Sequence, residues 1–126
     1  MRKPRLLLVD DDIDLTNNLS WLLSRRSYEV SAVNDGEGAL RIVGEQEFDV
    51  VILDRKMPGL DGISALRVLK MKHPNLEFII LTGAPSIDSA IKGLELGAYD
   101  YATKPITMTD LEEKIRMAFE RKLLLA

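Results

Sequence analysis

With 126 residues the chain is about 0.8 of a typical domain, room for one core and too little for two. Hydrophobic residues at 46% and charged residues at 29% exclude disorder as the main state, and roughly two-thirds of the unfolded chain's surface can be buried at this length. The net charge of −3, from 17 Lys+Arg against 20 Asp+Glu, provides no general cationic surface for nucleic acid or anionic lipid, so direct binding of nucleic acid or of a membrane is not expected. The absence of cysteine removes disulfides, thiolate metal sites and cysteine nucleophiles. The single histidine, His73, lies between Lys72 and Pro74 and reads as a loop residue, which leaves Ser-His-Asp catalysis and multi-histidine metal sites without support. Apolar runs fall far short of the ~20 residues that span a bilayer. Met1-Arg2-Lys3-Pro4 leads into a strand-like run without a signal-peptide core, so a cytoplasmic location is expected.

Short β-type runs alternate with longer stretches of helical period, which predicts an α/β fold: a doubly wound parallel sheet with helices on both faces. The first strand is expected at residues 6–9, followed by a helix with Leu15, Leu19, Leu22 and Leu23 at helical spacing. On that helix Trp21 reads as a packing residue, in the core or half-buried. The second strand is expected at residues 29–33, before a helix carrying Ala39, Leu40 and Val43, and the third at residues 50–53, before a helix carrying Ile63, Leu66 and Leu69. The fourth, at residues 78–81, leads to a helix with Ile87, Ala90, Ile91 and Leu94 in an apolar stripe, which Gly97 ends. The fifth is expected at residues 99–102. Beyond Pro105, Thr109 and Glu112 have capping-box spacing ahead of a fifth helix bearing Leu111, Ile115, Ala118 and Phe119. Residues 6–9, 50–53 and 78–81 are continuous apolar runs, as interior strands buried on both faces should be. Residues 1–126 thus form one domain, and Leu123-Leu124-Leu125 extends the last helix past what the domain needs. Residues 120–126 read as the start of a helical linker or interface extension.

Ligands of open α/β sheets bind beyond the carboxyl ends of the strands, and the residues there carry chemistry. Asp10, Asp11 and Asp12 follow the first strand, Asp54 follows the third, Thr82 beside Gly83 follows the fourth, and Lys104 before Pro105 follows the fifth. Carboxylates at Asp10, Asp11 and Asp54 would repel one another unless a cation sat among them, and hard oxygen ligands that leave room for water and phosphate suit Mg²⁺. A carboxylate can also be the nucleophile that forms an acyl phosphate, and Asp54, on a buried strand end, is placed for that role. Phosphoryl transfer spreads charge over three oxygens, which Mg²⁺, the Lys104 ammonium and the Thr82 hydroxyl can meet. Singly, each residue has an ordinary reading: Asp12 as a helix N-cap, Asp54 as a turn-former, Thr82 as a cap, Lys104 as a solvated lysine. Together, at four strand ends on one edge, they point to phosphoryl chemistry.

At these positions the chain resembles the receiver domain of bacterial two-component response regulators. The matching pieces are Leu8-Val9-Asp10-Asp11-Asp12, Leu53-Asp54-Arg55-Lys56-Met57-Pro58-Gly59-Leu60-Asp61-Gly62, Leu81-Thr82-Gly83 and Gly97-Ala98-Tyr99-Asp100-Tyr101-Ala102-Thr103-Lys104-Pro105. The resemblance implies a flavodoxin-like sheet of order 2-1-3-4-5 with five helices. It implies that Asp10 and Asp11 hold Mg²⁺ with Asp54 and the backbone carbonyl of Lys56. It further implies that Asp54 accepts the phosphoryl group, Thr82 is the switch hydroxyl, Lys104 pairs with the phosphoryl group, Tyr101 is the rotating aromatic and Lys104-Pro105 is a cis peptide. A sensor histidine kinase or phosphotransfer protein is the implied donor. The implied response is a change in the surface of the fourth helix, fifth strand and fifth helix, including residues 87–94 and 111–119, with a phosphorylation-dependent homodimer as its form. An output domain, DNA-binding or transcriptional, is expected beyond residue 126. Lys56 and Ala84, each two residues past a site residue, offer no general base to the attacking water, so slow self-hydrolysis is expected.

Two other classes fit less well. A haloacid dehalogenase-type phosphatase matches Asp10-Asp11-Asp12 as Asp-x-Asp but has Asp14 where Thr or Val is required. A flavodoxin-like cofactor binder needs a Ser/Thr/Gly-rich phosphate loop after the first strand, where this chain has three acids that repel phosphate.

Overall fold

A computed structural model describes residues 2–125. Strands and helices alternate through the chain as β1 (Arg5–Val9), α1 (Ile13–Arg25), β2 (Glu29–Val33), α2 (Gly36–Glu45), β3 (Val50–Leu53), α3 (Gly62–Lys72), β4 (Glu77–Thr82), α4 (Ile87–Glu95), β5 (Asp100–Thr103) and α5 (Met108–Leu125). All strand pairs are parallel and the order is β2-β1-β3-β4-β5. The three apolar runs are the interior strands, and the mixed sequences of β2 and β5 lie at the edges. β5 starts one residue later than its sequence suggests, although the Tyr99 N–H already donates to the Phe78 carbonyl at 2.7 Å.

Because successive strand side chains point to opposite faces, each interior strand feeds two cores. Leu7, Val9, Val51, Leu53, Phe78 and Ile80 pack with Ala39 and Val43 of α2 and Leu66 and Leu69 of α3. Leu6, Leu8, Val50, Ile52, Ile79 and Leu81 pack with Leu23 of α1 and Leu111, Ile115, Ala118 and Phe119 of α5. Full burial of a side chain such as Leu66 or Leu111 contributes about 1.5–3 kcal/mol, so these two layers clamp the sheet from both faces.

Local chemistry sets where each helix starts. Asp12, Asp35, Asp61 and Ser86 accept from the N–H three residues on and cap α1 to α4. For α5 the structure corrects the expected cap: Thr107, not Thr109, accepts from Asp110 N–H at 3.1 Å, and its carbonyl accepts from Leu111 N–H. The helix therefore begins at Met108, leaving Thr109 and Glu112 inside it. His73 closes α3, as a residue at the edge of a loop.

One apolar expectation is also corrected. Trp21 is 58% exposed, because Thr16 and Leu23 define the inward side of α1 and Trp21 projects off it, under the Arg25 guanidinium at 4.9 Å. The stripe of α4 faces outward, with Ile87 80%, Ile91 52% and Leu94 49% exposed. The buried residue of this helix is Gly93, where a Cβ would lie 2.4 Å from Cδ1 of Ile80. A glycine-sided approach lets α4 lie close to β4, and that orientation turns the apolar stripe away.

At the opposite edge of the sheet, two buried acids anchor α5. Asp49, before β3, accepts from Arg2, from the Arg5 backbone and guanidinium, and from Lys122. Glu77, at the start of β4, pairs with Arg121 through two hydrogen bonds at 2.5 and 2.6 Å. The domain therefore grips α5 as far as Lys122. Leu123, Leu124 and Leu125 are exposed, and Ala126 lies outside the described residues.

Candidate functional site

The sheet ladder delivers the acids. Asp54 N–H donates to the Val9 carbonyl at 2.9 Å and Asp10 N–H to the Val33 carbonyl at 3.2 Å, so hydrogen bonding continues past each strand end and fixes both backbones. Carboxylate oxygens of Asp10, Asp11 and Asp54 come within 4.8 Å of one another. Asp10 and Asp54 are buried and Asp11 is exposed. On the far side, Lys104 N–H donates to the Thr82 carbonyl at 2.9 Å, which brings the lysine back over the acids. Its Nζ lies 2.5 Å from Asp10 Oδ2 and 3.5 Å from Asp54 Oδ2. The Lys104-Pro105 bond is cis.

Burial pushes the Asp10 carboxyl above the usual carboxylate range; the bonds from Lys104 and from the Asp12 N–H pull the other way, and the charge of Asp54 adds to the rise. Burial alone would lower the Lys104 ammonium, but its bond to Asp10 and the charges of Asp10 and Asp54 outweigh it and raise it. Asp10 and Asp54 thus share the Lys104 ammonium, and Asp11 makes no ion pair among the described residues. A small, hard divalent ion fits this donor set, because oxygen ligands with excess negative charge and one open side satisfy its preference.

Thr82 is fully buried at the end of β4, with its Oγ1 accepting from Ala84 N–H at 3.1 Å. Tyr101 is half-buried, and its hydroxyl sits at the start of α4, accepting from Ser86 N–H at 3.2 Å and lying 2.7 Å from Ser89 Oγ. Lys56 is exposed, with its N–H 3.5 Å from Asp54 Oδ1, and among the described residues its ammonium makes no ion pair. Asp10, Asp11, Asp54 and Lys104 are therefore gathered at one point, whereas Tyr101 is engaged one loop away.

Three contributors escape the sequence argument. Asn34 Nδ2 donates to the Asp10 carbonyl at 2.9 Å and to Thr16 Oγ1 at 3.2 Å, tying the end of β2 to the acidic turn and to α1. Asn34 stands directly after β2, as Asp10 and Asp54 stand directly after β1 and β3, and that position is its signal in the sequence. Arg55 directs Nε and Nη2 at the Ala84 carbonyl, 2.8 and 2.5 Å away, and nothing in its neighbours in sequence points there. Gly62 is required by close approach: a Cβ there would lie 1.9 Å from the Asp54 carbonyl oxygen, and its N–H donates to the Arg55 carbonyl at 2.9 Å. Any side chain at 62 would push α3 off the backbone that carries Asp54.

Comparison with known proteins agrees with this geometry. Residues 6–116 match the family model described as the response regulator receiver domain. The transcriptional regulatory protein PrrA of Mycobacterium leprae is 36% identical over 119 residues, which cover 94% of this chain and 51% of that protein. The chain thus spans about half the length of this curated relative. A crystal structure of a response regulator receiver domain protein from Clostridium thermocellum superposes with a TM-score of 0.91 at 39% identity, covering 97% of this chain and 98% of that one. The beryllofluoride-activated NtrC4 receiver domain dimer gives a TM-score of 0.88 at 32% identity, covering 94% and 98%. A parallel sheet of order 2-1-3-4-5, three clustered aspartates at its carboxyl edge and a family match over most of the sequence converge on one conclusion: this chain belongs to the response regulator receiver domains.

Proposed function

We propose that the chain takes a phosphoryl group from a sensor histidine kinase or phosphotransfer protein onto Asp54 and answers by changing its α4–β5–α5 surface. The observation that carries this reading is the meeting of Asp10, Asp11 and Asp54, with the Lys104 ammonium paired to Asp10 and Asp54. An Asp54 carboxylate oxygen attacks the phosphorus of the donor's phosphohistidine. The P–O bond forms, the P–N bond breaks, and the imidazole nitrogen leaves with its electron pair. Lys104 draws one phosphoryl oxygen and the Thr82 hydroxyl another, each meeting charge that grows in the transition state. Asp10, Asp11, Asp54 and the Lys56 carbonyl would hold Mg²⁺, which supplies positive charge to the phosphoryl oxygens. Lysis of the acyl phosphate is slow, because neither Lys56 nor Ala84 bears a group that can take a proton from water.

The response rests on differential contact: only the phosphorylated state gives Thr82 and Lys104 a dianion to hold, and Tyr101 follows the space that Thr82 leaves. The exposed Ile87, Ile91 and Leu94, on a helix that packs beside β5, offer an apolar face for a phosphorylation-dependent homodimer. Residues 120–126 lead toward a transcriptional output domain beyond residue 126, in a cytoplasmic regulator. Among the described residues no helix is long and apolar enough to cross a membrane.

Incubation with a small phosphodonor and Mg²⁺ tests the reading. The chain gains one base-labile phosphoryl group, and Asp54→Asn gains none. Continuous turnover of the donor would assign a phosphatase instead, and undiminished labelling of Asp54→Asn would remove Asp54 from its role.

A further inference from the structure

The loop from β4 to α4 is held at three points. Thr82 Oγ1 accepts from Ala84 N–H, Arg55 grips the Ala84 carbonyl through two guanidinium nitrogens, and the Tyr101 hydroxyl accepts from Ser86 N–H. Two of these restraints act on opposite sides of the same residue. The N–H of Ala84 fixes where the Thr82 hydroxyl sits, and the carbonyl of Ala84 is fixed by Arg55. Arg55 itself is immobilised at its root, since it adjoins Asp54 and its own carbonyl accepts from Gly62 N–H at 2.9 Å.

We propose that Arg55 is a positioning residue that latches the β4–α4 loop in the resting state, so that the side chain next to the phosphoacceptor opposes the inward movement of Thr82. The inference rests on the receiver reading and adds a restraint particular to this chain. For Thr82 to move inward to a phosphoryl group on Asp54, residue 84 must move with it or the bond from Ala84 N–H to the hydroxyl is lost. A guanidinium with two donors on one carbonyl resists such a shift more than a neutral single bond does, because charge-assisted bonds are the stronger class. Arg55 therefore raises the population of the resting loop and lowers the affinity for anything that recruits Thr82.

Arg55→Gln removes the charge and one branch of the fork while keeping a polar side chain at a half-buried position. Beryllofluoride with Mg²⁺ is the probe, titrated calorimetrically into the parent, Arg55→Gln, Thr82→Ala and the double variant. The expected result is binding at least about threefold tighter for Arg55→Gln than for the parent, and no difference between Thr82→Ala and the double variant. In the same metal-free proteins the amide of Ala84 exchanges faster with solvent in Arg55→Gln. A merely structural arginine lowers the unfolding temperature and leaves the binding ratio at one. Unchanged or weaker binding in Arg55→Gln, or a gain that persists without Thr82, overturns the latch while leaving the receiver reading intact. Failure of the parent itself to bind beryllofluoride overturns both.

Discussion

The two edges of the sheet use the same residue type to opposite ends. At the amino edge Asp49 and Glu77 are as buried as Asp10 and Asp54 at the carboxyl edge. Those two acids meet five basic side chains, Arg2, Arg5 and Lys122 on Asp49, Arg121 and Lys70 on Glu77. Burial pushes the Asp49 carboxyl up, but the bonds from Arg2, the Arg5 N–H, Lys122 and the Arg5 guanidinium overwhelm it and hold the group well below the usual carboxylate range. Among the described residues the acids at the carboxyl edge pair with Lys104 alone, through Asp10 and Asp54, and burial leaves Asp10 shifted upward. A buried carboxylate whose lone pairs are all met is a fastener, and one that is short of cations is a site.

The contrast is broken most severely at the fastener. Asp49→Ala is expected to lower unfolding free energy by about 3 kcal/mol, the low end for a broken buried pair because Arg2 can return to water, while phosphoryl uptake per folded molecule is retained. Urea unfolding together with a phosphodonor assay measures both, and loss of uptake without loss of stability would reverse the assignment of the two edges. Gly62→Ala comes next, at about 2 kcal/mol, since a methyl 1.9 Å from the Asp54 carbonyl forces α3 and the acidic turn apart. Here stability and uptake should fall together, which separates a change at the hinge of the site from one at the base.

Acid sharpens the comparison. A carboxyl with a depressed folded pKa stabilises fully above its unfolded value near 3.9 and loses that contribution as pH falls toward the folded value. The stability gap between parent and Asp49→Asn is therefore constant from pH 7 to about pH 5 and narrows below about pH 4, as urea melts at each pH would register. The smallest effect lies at the carboxyl edge. Asp11→Asn, at an exposed position, should leave the stability of the metal-free chain within about 0.5 kcal/mol of the parent. Thermal melts with and without Mg²⁺ should show the ion raising the parent's unfolding temperature and raising that of Asp11→Asn less; equal increments would remove Asp11 from the cation site.

Much of the site could be read from the chain because each strand run ends in the residue it presents. Asp10, Asp54 and Thr82 sit where an apolar run stops, and parallel strands place all such stops on one edge. Asp12 as a cap was equally legible, being a local interaction with Leu15. The amino-edge fasteners were not, because Asp49 bonds residues 44 to 73 positions away and no sequence period marks such pairs. Arg55 was hidden for the same reason, its partner lying 29 residues on in another loop.

The sequence by itself determined the number, order and type of the elements, the interior strands, and the family, since hydrophobic period repeats along five strand-helix units and strand-end chemistry is local. Only the tertiary structure decided which way an apolar stripe faces. A period of 3.6 says that α4 has an apolar side; it takes Gly93 against Ile80 to turn that side outward. The stripe of α5, with the same period, turns inward because Leu111, Ile115 and Ala118 meet the sheet face formed by Val50, Ile52, Ile79 and Leu81. Burial is a property of a pair of surfaces, and one chain segment specifies only its own.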